Sequence, residues 1–168
     1  SSLFKRLSPL AKQKRNRKDN FSIKKVINES IDVFRNSLVE EDIQIHLEVE
    51  DNLEIYGWSE DLYIALTNLV ENSIYWLSIS ESSDDKIITI EAFKSENSII
   101  IDYKDTGPGL SDLEIESGAI FEPGYSKKSD GTGLGLAIAG EACDRFNGEL
   151  SARKIKVGVN FQIEILSK

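Results

Sequence analysis

Two asparagines four residues apart, Asn68 and Asn72 in "TNLVENSIYW", interrupt an otherwise amphipathic run. At helical pitch both side chains face the same way. Asparagine is a poor helix former, so the pair needs partners. A buried amide network or a solvated edge would supply them. So would a hydrated divalent cation, which takes oxygen ligands and keeps several waters. Glu71 is the acid beside them, about 100° around the helix from Asn72.

Two glycine-bearing stretches carry chemistry of a different kind. In "YKDTGPGL" an apolar strand runs into Asp105 and a Gly-Pro-Gly turn. Asp and Gly favour an ordinary strand-ending turn. The same residues also suit a flat ligand, with Asp105 accepting a hydrogen bond and Gly107 and Gly109 allowing close approach. In "SDGTGLGLAIAG", Gly131, Gly133 and Gly135 open a helix, although glycine inside a helix costs about 1 kcal/mol relative to alanine. No Gly-Lys-Ser/Thr follows, and the residues before the glycines are polar loop, so neither a Walker A loop nor a dinucleotide fingerprint fits. Free N–H groups at a helix start still favour phosphate. Lys127 and Lys128 just upstream add positive charge. The stretch reads as a phosphate cradle and a hinge.

These groups need elements to position them. Ile23, Val26, Ile27, Ile31, Phe34 and Leu38 recur at helical spacing within residues 21–39. "DIQIHLEV" alternates as a half-buried strand, and a short strand near Glu54–Tyr56 ends at Gly57. Ser59 is placed to cap a helix through about Leu77, with Leu62, Leu66, Leu69, Ile74 and Leu77 inward. Strands follow at Ile87–Phe93 and Ile99–Asp105, then a long loop over residues 106–130. Loops of that length inside a domain are usually functional or disordered. A helix over Gly133–Phe146, ended by Asn147-Gly148, and strands at Glu149–Ile155 and Gly158–Leu166 close the chain. The fold class this order predicts is α+β, a two-layer sandwich whose mixed, mainly antiparallel sheet is covered by helices on one face.

The 168 residues suffice for one domain with a sizeable core. No apolar run approaches the roughly 20 residues that span a bilayer, and the basic N-terminus lacks the apolar stretch of a secretory signal. Cys143 has no second cysteine to pair with, which fits a reducing compartment, the cytosol by default. Residues 1–18 hold seven Lys or Arg and no acid, leaving 13 basic against 29 acidic side chains in the rest, a balance of −16. So acidic a body argues against nucleic-acid binding by the globular part. The basic arm, residues 1–19, reads as a solvated linker or the end of an upstream helix.

Taken together and in this order, the three stretches resemble the ATP-binding domain of the family uniting histidine kinases, DNA gyrase, MutL and the large heat-shock chaperones. Asn68 and Asn72 look like its N box, Asp105-x-Gly107-x-Gly109 its G1 box, "IFEPGYSKK" its F box, and Gly131-Thr132-Gly133-Leu134-Gly135 its G2 box. The resemblance covers roughly residues 20–168. Within the family, "NLVENS" and "GTGLGLAI" are most similar to the catalytic domain of sensor histidine kinases, a Bergerat-type fold.

The resemblance implies Mg²⁺ on Asn72 with support from Asn68, and Asp105 reading the adenine amine of ATP in a pocket shaped by Gly107 and Gly109. It also implies a mobile lid over about 106–130, anchored by Phe121. Lys127 and Lys128 would reach the phosphates, and the stretch from Gly131 to Gly135 would close over them. Many such kinases carry a base three residues after the metal asparagine; here Tyr75 stands there, and Tyr75 or Trp76 would pack beside the nucleotide or in the core. Gyrase-type ATPases place a water-activating glutamate where this chain has Asn68, which cannot act as a base. Transfer to a protein acceptor is therefore expected over fast hydrolysis. The one histidine, His46, lies on the polar face of a strand and reads as a bystander. The resemblance thus implies phosphoacceptor and dimerisation helices upstream, and a response regulator as partner. The alternative is a nucleotide-switched interaction module of the same fold.

Overall fold

The computed structural model describes residues 17–126 and 133–167. Five strands form one sheet in the order β2 (Gln44–Val49), β4 (Ile87–Ser95), β5 (Ser98–Asp105), β7 (Val159–Leu166) and β6 (Gly148–Lys154). The β2–β4 pair is parallel and the other three pairs are antiparallel. Helices α1 (Ile23–Asp32), α3 (Ser59–Ser78) and α5 (Gly135–Arg145) cover one face, α3 packing between the other two. The two-layer α+β arrangement expected from the pattern is the one found. A two-stranded ladder outside the main sheet, β1 (Asp19–Ser22) with β3 (Glu54–Gly57), was not expected.

The single helix expected over residues 21–39 is divided. Phe21 and Ser22 belong to β1, the Ser22 hydroxyl caps α1 by accepting from Lys25 N–H, and Ile23 N–H bonds Leu53 O. Phe34, at φ −106° and ψ 8°, then separates α1 from α2 (Arg35–Glu40). The apolar stripe survives the breaks, since Ile23, Val26, Ile27, Ile31 and Leu38 are all buried and Phe34 packs against them. Local capping overrode a periodicity that ran straight through. Likewise Asp42, at φ +53°, delays the start of β2 to Gln44.

The central helix α3 runs for 20 residues. Ser59 is its first helical residue rather than its cap; Trp58 holds the cap position without a side-chain bond to the first turn's N–H groups, and Glu60 and Asp61 complement the positive end instead. Its buried stripe is Leu62, Leu66, Leu69, Ser73 and Leu77, with Ile74 only half-buried. Ser73 therefore occupies a core position that hydropathy assigned to its neighbour. Opposite it on the sheet, Ile101, Tyr103 and Asp105 alternate along β5 and are buried. The Tyr103 ring lies tilted against Phe161, centroids 6.4 Å apart.

The segment after β5 is not a structureless loop. It contains α4 (Asp112–Ser117) and a 3₁₀ turn at Ala119–Phe121. Ser111 and Glu114 form a reciprocal capping box, and Gly118 ends α4 in the left-handed conformation.

Candidate active site

Asp105 sits at the end of β5 with 4% of its surface exposed. Its Oδ2 accepts the Ser73 hydroxyl at 2.5 Å, and its Oδ1 accepts Gly107 N–H at 2.9 Å. Burial pushes the carboxyl above the usual carboxylate range, while the hydrogen bonds from Ser73, Gly107 and the Val159 backbone pull against that rise. The turn beyond is tightly built: a Cβ on Gly109, at φ +76°, would stand 2.5 Å from Gly158 O. Thr106 fastens the same turn to the start of β4 by accepting Ile87 N–H and donating to Asp85 O.

Asn68 and Asn72 lie on α3, one turn apart. The Asn68 amide donates to Ile64 O at 2.7 Å, which leaves its Oδ1 facing α5, where a Cβ on Gly135 would stand 3.5 Å away. The fold thus brings the N-box asparagine against the last glycine of the G2 stretch. Asn72 is half-buried, and its amide makes no hydrogen bond among the described residues. A half-buried amide oxygen with no hydrogen-bond donor among the described residues fits a cation drawing its other ligands from water and phosphate. Glu71 is exposed, turned away from the buried side of α3. Tyr75 and Trp76, both half-buried, stack edge to face with centroids 5.1 Å apart.

The segment between β5 and α5 is anchored at several points. Phe121 packs edge-on against Phe161, centroids 6.3 Å apart, and Ile120 is buried. Tyr125 donates to Glu114, and Gly124 N–H bonds Gly133 O at 3.0 Å. At Gly133, φ +68°, a Cβ would come 2.4 Å from the Gly124 carbonyl carbon, so only glycine fits. Leu134 caps α5, whose first turn closes with Ile138 N–H on Leu134 O. Lys127, Lys128, Gly131 and Thr132 lie outside the described residues.

Residues 57–167 match the model of the "histidine kinase-, DNA gyrase B-, and HSP90-like ATPase" family. The chain belongs to that ATPase family. Sporulation kinase B of Bacillus subtilis is 30% identical over 84% of this chain and 32% of its own length. The sensor histidine kinase ZraS of Salmonella typhi is 29% identical over 78% of this chain and 27% of its own length. The chain thus spans about a third of the relatives it matches. The catalytic domain of the histidine kinase ThkA superposes with a TM-score of 0.76, covering 90% of this chain and 97% of that one at 23% identity. ThkA solved in complex with the response regulator TrrA superposes with a TM-score of 0.76 over 99% of this chain at 20% identity, covering 47% of that chain. This ATPase-family chain therefore has the fold of histidine kinase catalytic domains. Among its described residues no helix is long and apolar enough to cross a membrane.

Ser73 and Tyr103 were not singled out from the sequence, yet both touch the Asp105 network. A signal was present: strand alternation puts Tyr103 on the face of Asp105, and Ser73 stands four residues after Leu69 on the inward stripe. The Ser-x-x-Glu pattern at Ser111 is a signal for Glu114 as a capping partner but not for its bond to Tyr125.

Proposed function

We propose that this chain is the Mg²⁺–ATP-binding catalytic domain of a sensor histidine kinase, which transfers the γ-phosphoryl group to a histidine outside this chain. One observation carries the reading: a buried aspartate ends β5 beside a glycine turn, on the layer opposite a helix bearing Asn68 and Asn72. Asp105 would accept the adenine 6-amine, with Gly107 and Gly109 admitting the flat base. Phe121 holds the lid base against the sheet, and Tyr75 or Trp76 would flank the nucleotide. Asn72 would hold Mg²⁺ with Asn68 behind it, and Glu71 supplies the neighbouring carboxylate on the open side. When bound, Mg²⁺ neutralises phosphate charge and aligns the γ-phosphoryl group.

Lys127, Lys128 and the stretch Gly131, Thr132, Gly133, Leu134, Gly135 would meet the phosphates at the start of α5. The attacking imidazole nitrogen contributes the lone pair of the new N–P bond. The bond from phosphorus to the bridging oxygen breaks, and ADP leaves with its electrons. The domain's own work is positioning and charge stabilisation. His46 is exposed on β2 and takes no part. The basic residues ahead of β1 would be a linker or the end of an upstream helix, leading from phosphoacceptor and dimerisation helices. The expected boundary at residue 19 gives way to Asp19 as the first residue of β1. A response regulator would receive the phosphoryl group in turn. The parent protein would act in the cytoplasm.

Calorimetric titration with a non-hydrolysable ATP analogue, with and without Mg²⁺, tests this. Binding should fall at least tenfold in Asp105→Asn, the scale of one hydrogen bond to a charged group. In Asn72→Ala, binding should survive without its Mg²⁺ dependence. Titrations without heat up to millimolar nucleotide would overturn the assignment.

A further inference from the structure

Ser73 behaves unlike two other hydroxyls set inside helices of this protein. Ser30 donates back to Val26 O at 2.7 Å, and Thr67 donates back to Tyr63 O at 2.8 Å, each bonding the carbonyl four residues earlier. That is the ordinary habit of a hydroxyl inside a helix. The corresponding carbonyl for Ser73 is Leu69 O, and Ser73 does not take it. The Tyr103 hydroxyl stands there instead, 3.2 Å from Leu69 O and 2.8 Å from Ser73 Oγ. Ser73 has a single hydroxyl hydrogen, and it goes to Asp105 Oδ2 at 2.5 Å.

The directions in this chain are fixed by the inventory of donors. An ionised Asp105 can only accept, so Ser73 must donate to it and can only accept from Tyr103. Tyr103 and Ser73 are both fully buried, so no solvent competes for these bonds. The Tyr103 ring is wedged against Phe161, which holds the hydroxyl in place between strand and helix. Asp105 is thereby an acceptor on both oxygens, Oδ1 being held by Gly107 N–H.

We propose that Tyr103 and Ser73 are positioning residues for base selectivity: by diverting the Ser73 hydroxyl from its own helix to Asp105, Tyr103 fixes the carboxylate as a pure acceptor that takes a 6-aminopurine and repels a 6-oxopurine. The inference rests on the reading of Asp105 as the adenine contact. Without the Tyr103 hydroxyl, Ser73 is free to turn back to Leu69 O as Ser30 and Thr67 do. Asp105 Oδ2 then loses its donor, and the carboxyl can hold a proton and offer it to a 6-oxo group. Burial already pushes that carboxyl upward, in the direction that makes the loss consequential.

The test titrates ADP and inosine diphosphate, with Mg²⁺, into the wild-type chain, Tyr103→Phe, Ser73→Ala and the double variant. Both substitutions remove one oxygen and little volume, and thermal melts report any loss of fold. The expected result is a preference for ADP in the wild type that shrinks about tenfold in either single variant, the scale of a hydrogen bond to a charged group. The double variant should shrink it no further than the larger single effect, because both changes cut one chain. A structural role alone would lower the melting temperature and leave the preference intact, which would overturn the inference. Single effects that multiply in the double variant would overturn it too. A wild-type chain with no preference for ADP would instead overturn the underlying reading of Asp105, and is thereby distinguishable.

Discussion

The Tyr125 hydroxyl donates to Glu114 Oε1 at 2.8 Å, drawing the chain beyond the 3₁₀ turn back onto α4. Glu114 is buried, and its other oxygen accepts Ser111 N–H at 2.7 Å, so one side chain both caps α4 and fastens the turn ahead of Gly133. Tyr125→Phe removes one hydrogen bond to a buried side chain, worth roughly 1.5–3 kcal/mol if that carboxylate is charged, and leaves the Phe121 and Ile120 contacts of the segment in place. The expected outcome is a local loosening: limited proteolysis within residues 106–126 speeds up severalfold while the melting temperature changes little. An unchanged cleavage rate would show that the aromatic ring alone anchors the segment.

Gly133 turns at φ +68° with the Gly124–Tyr125 peptide directly over its α-carbon. Gly133→Ala adds a methyl group 2.4 Å from the Gly124 carbonyl carbon, so the Gly124–Gly133 bond at 3.0 Å must open. The change falls outside the sheet and the stripe of α3. Nucleotide affinity should therefore drop tenfold or more while the melting temperature stays within a few degrees. A large fall in melting temperature would mean that this contact belongs to the folding core.

Much of this arrangement was legible in the sequence, and the parts that were not have physical reasons. The apolar runs of β4 and β5 announced the sheet, because register has to follow the buried face, and alternation in Gln44–Val49 announced a strand although Leu47 on its apolar face is exposed. The four-residue spacing of Asn68 and Asn72 announced a shared helix face, and the glycines after Asp105 announced a close turn. Periodicity could not show where α1 stops, because the stripe from Ile23 to Leu38 continues across the break at Phe34. Nor could hydropathy place Ser73 in the core, since what qualifies it for burial is a partner 32 residues away on β5.

The first turn of α3 is tied to the last turn of α5 by Arg145 Nε donating to Asp61 Oδ1 at 2.8 Å. Asp61 is 1% exposed, whereas about a third of the Arg145 side chain meets solvent. Removing the arginine takes a charged partner from a buried carboxylate, so Arg145→Ala should cost about 2 kcal/mol, discounted from the 3–5 kcal/mol of a fully buried pair because the arginine is partly exposed. For a domain of this size that lowers the melting temperature by roughly 4–8 °C. Nucleotide affinity should be unchanged in conditions where the variant is folded. Calorimetric melts and titrations of the same sample separate the two effects.

Asp105 sets function against stability. Its folded-state pKa lies above the ordinary carboxylate value, chiefly through burial, so the folded chain binds the Asp105 proton more tightly than the unfolded chain does. That contribution to stability is fully present below the unfolded value and is lost as pH rises through the folded one. At neutral pH the ionised carboxylate is therefore a cost, which Asp105→Asn relieves. An asparagine there can still accept Gly107 N–H at Oδ1 and donate its amide hydrogens to Ser73 Oγ, whose own hydrogen can turn to the Tyr103 hydroxyl while Tyr103 donates to Leu69 O. The variant should melt a few degrees above wild type at pH 7 to 8, and the gap should close as pH falls toward the ordinary carboxylate range. Tyr103 is the other ionisable group coupled to Asp105, and its own pKa is pushed well above the ordinary phenol value, so it stays neutral throughout. Nucleotide binding should move oppositely, at least tenfold weaker in Asp105→Asn and weakening in wild type as the carboxyl takes up its proton. Melting curves of both proteins across pH 5 to 8 decide it: a variant less stable than wild type at pH 8 would show that the hydrogen bonds from Ser73, Gly107 and Val159 outweigh the cost of burial.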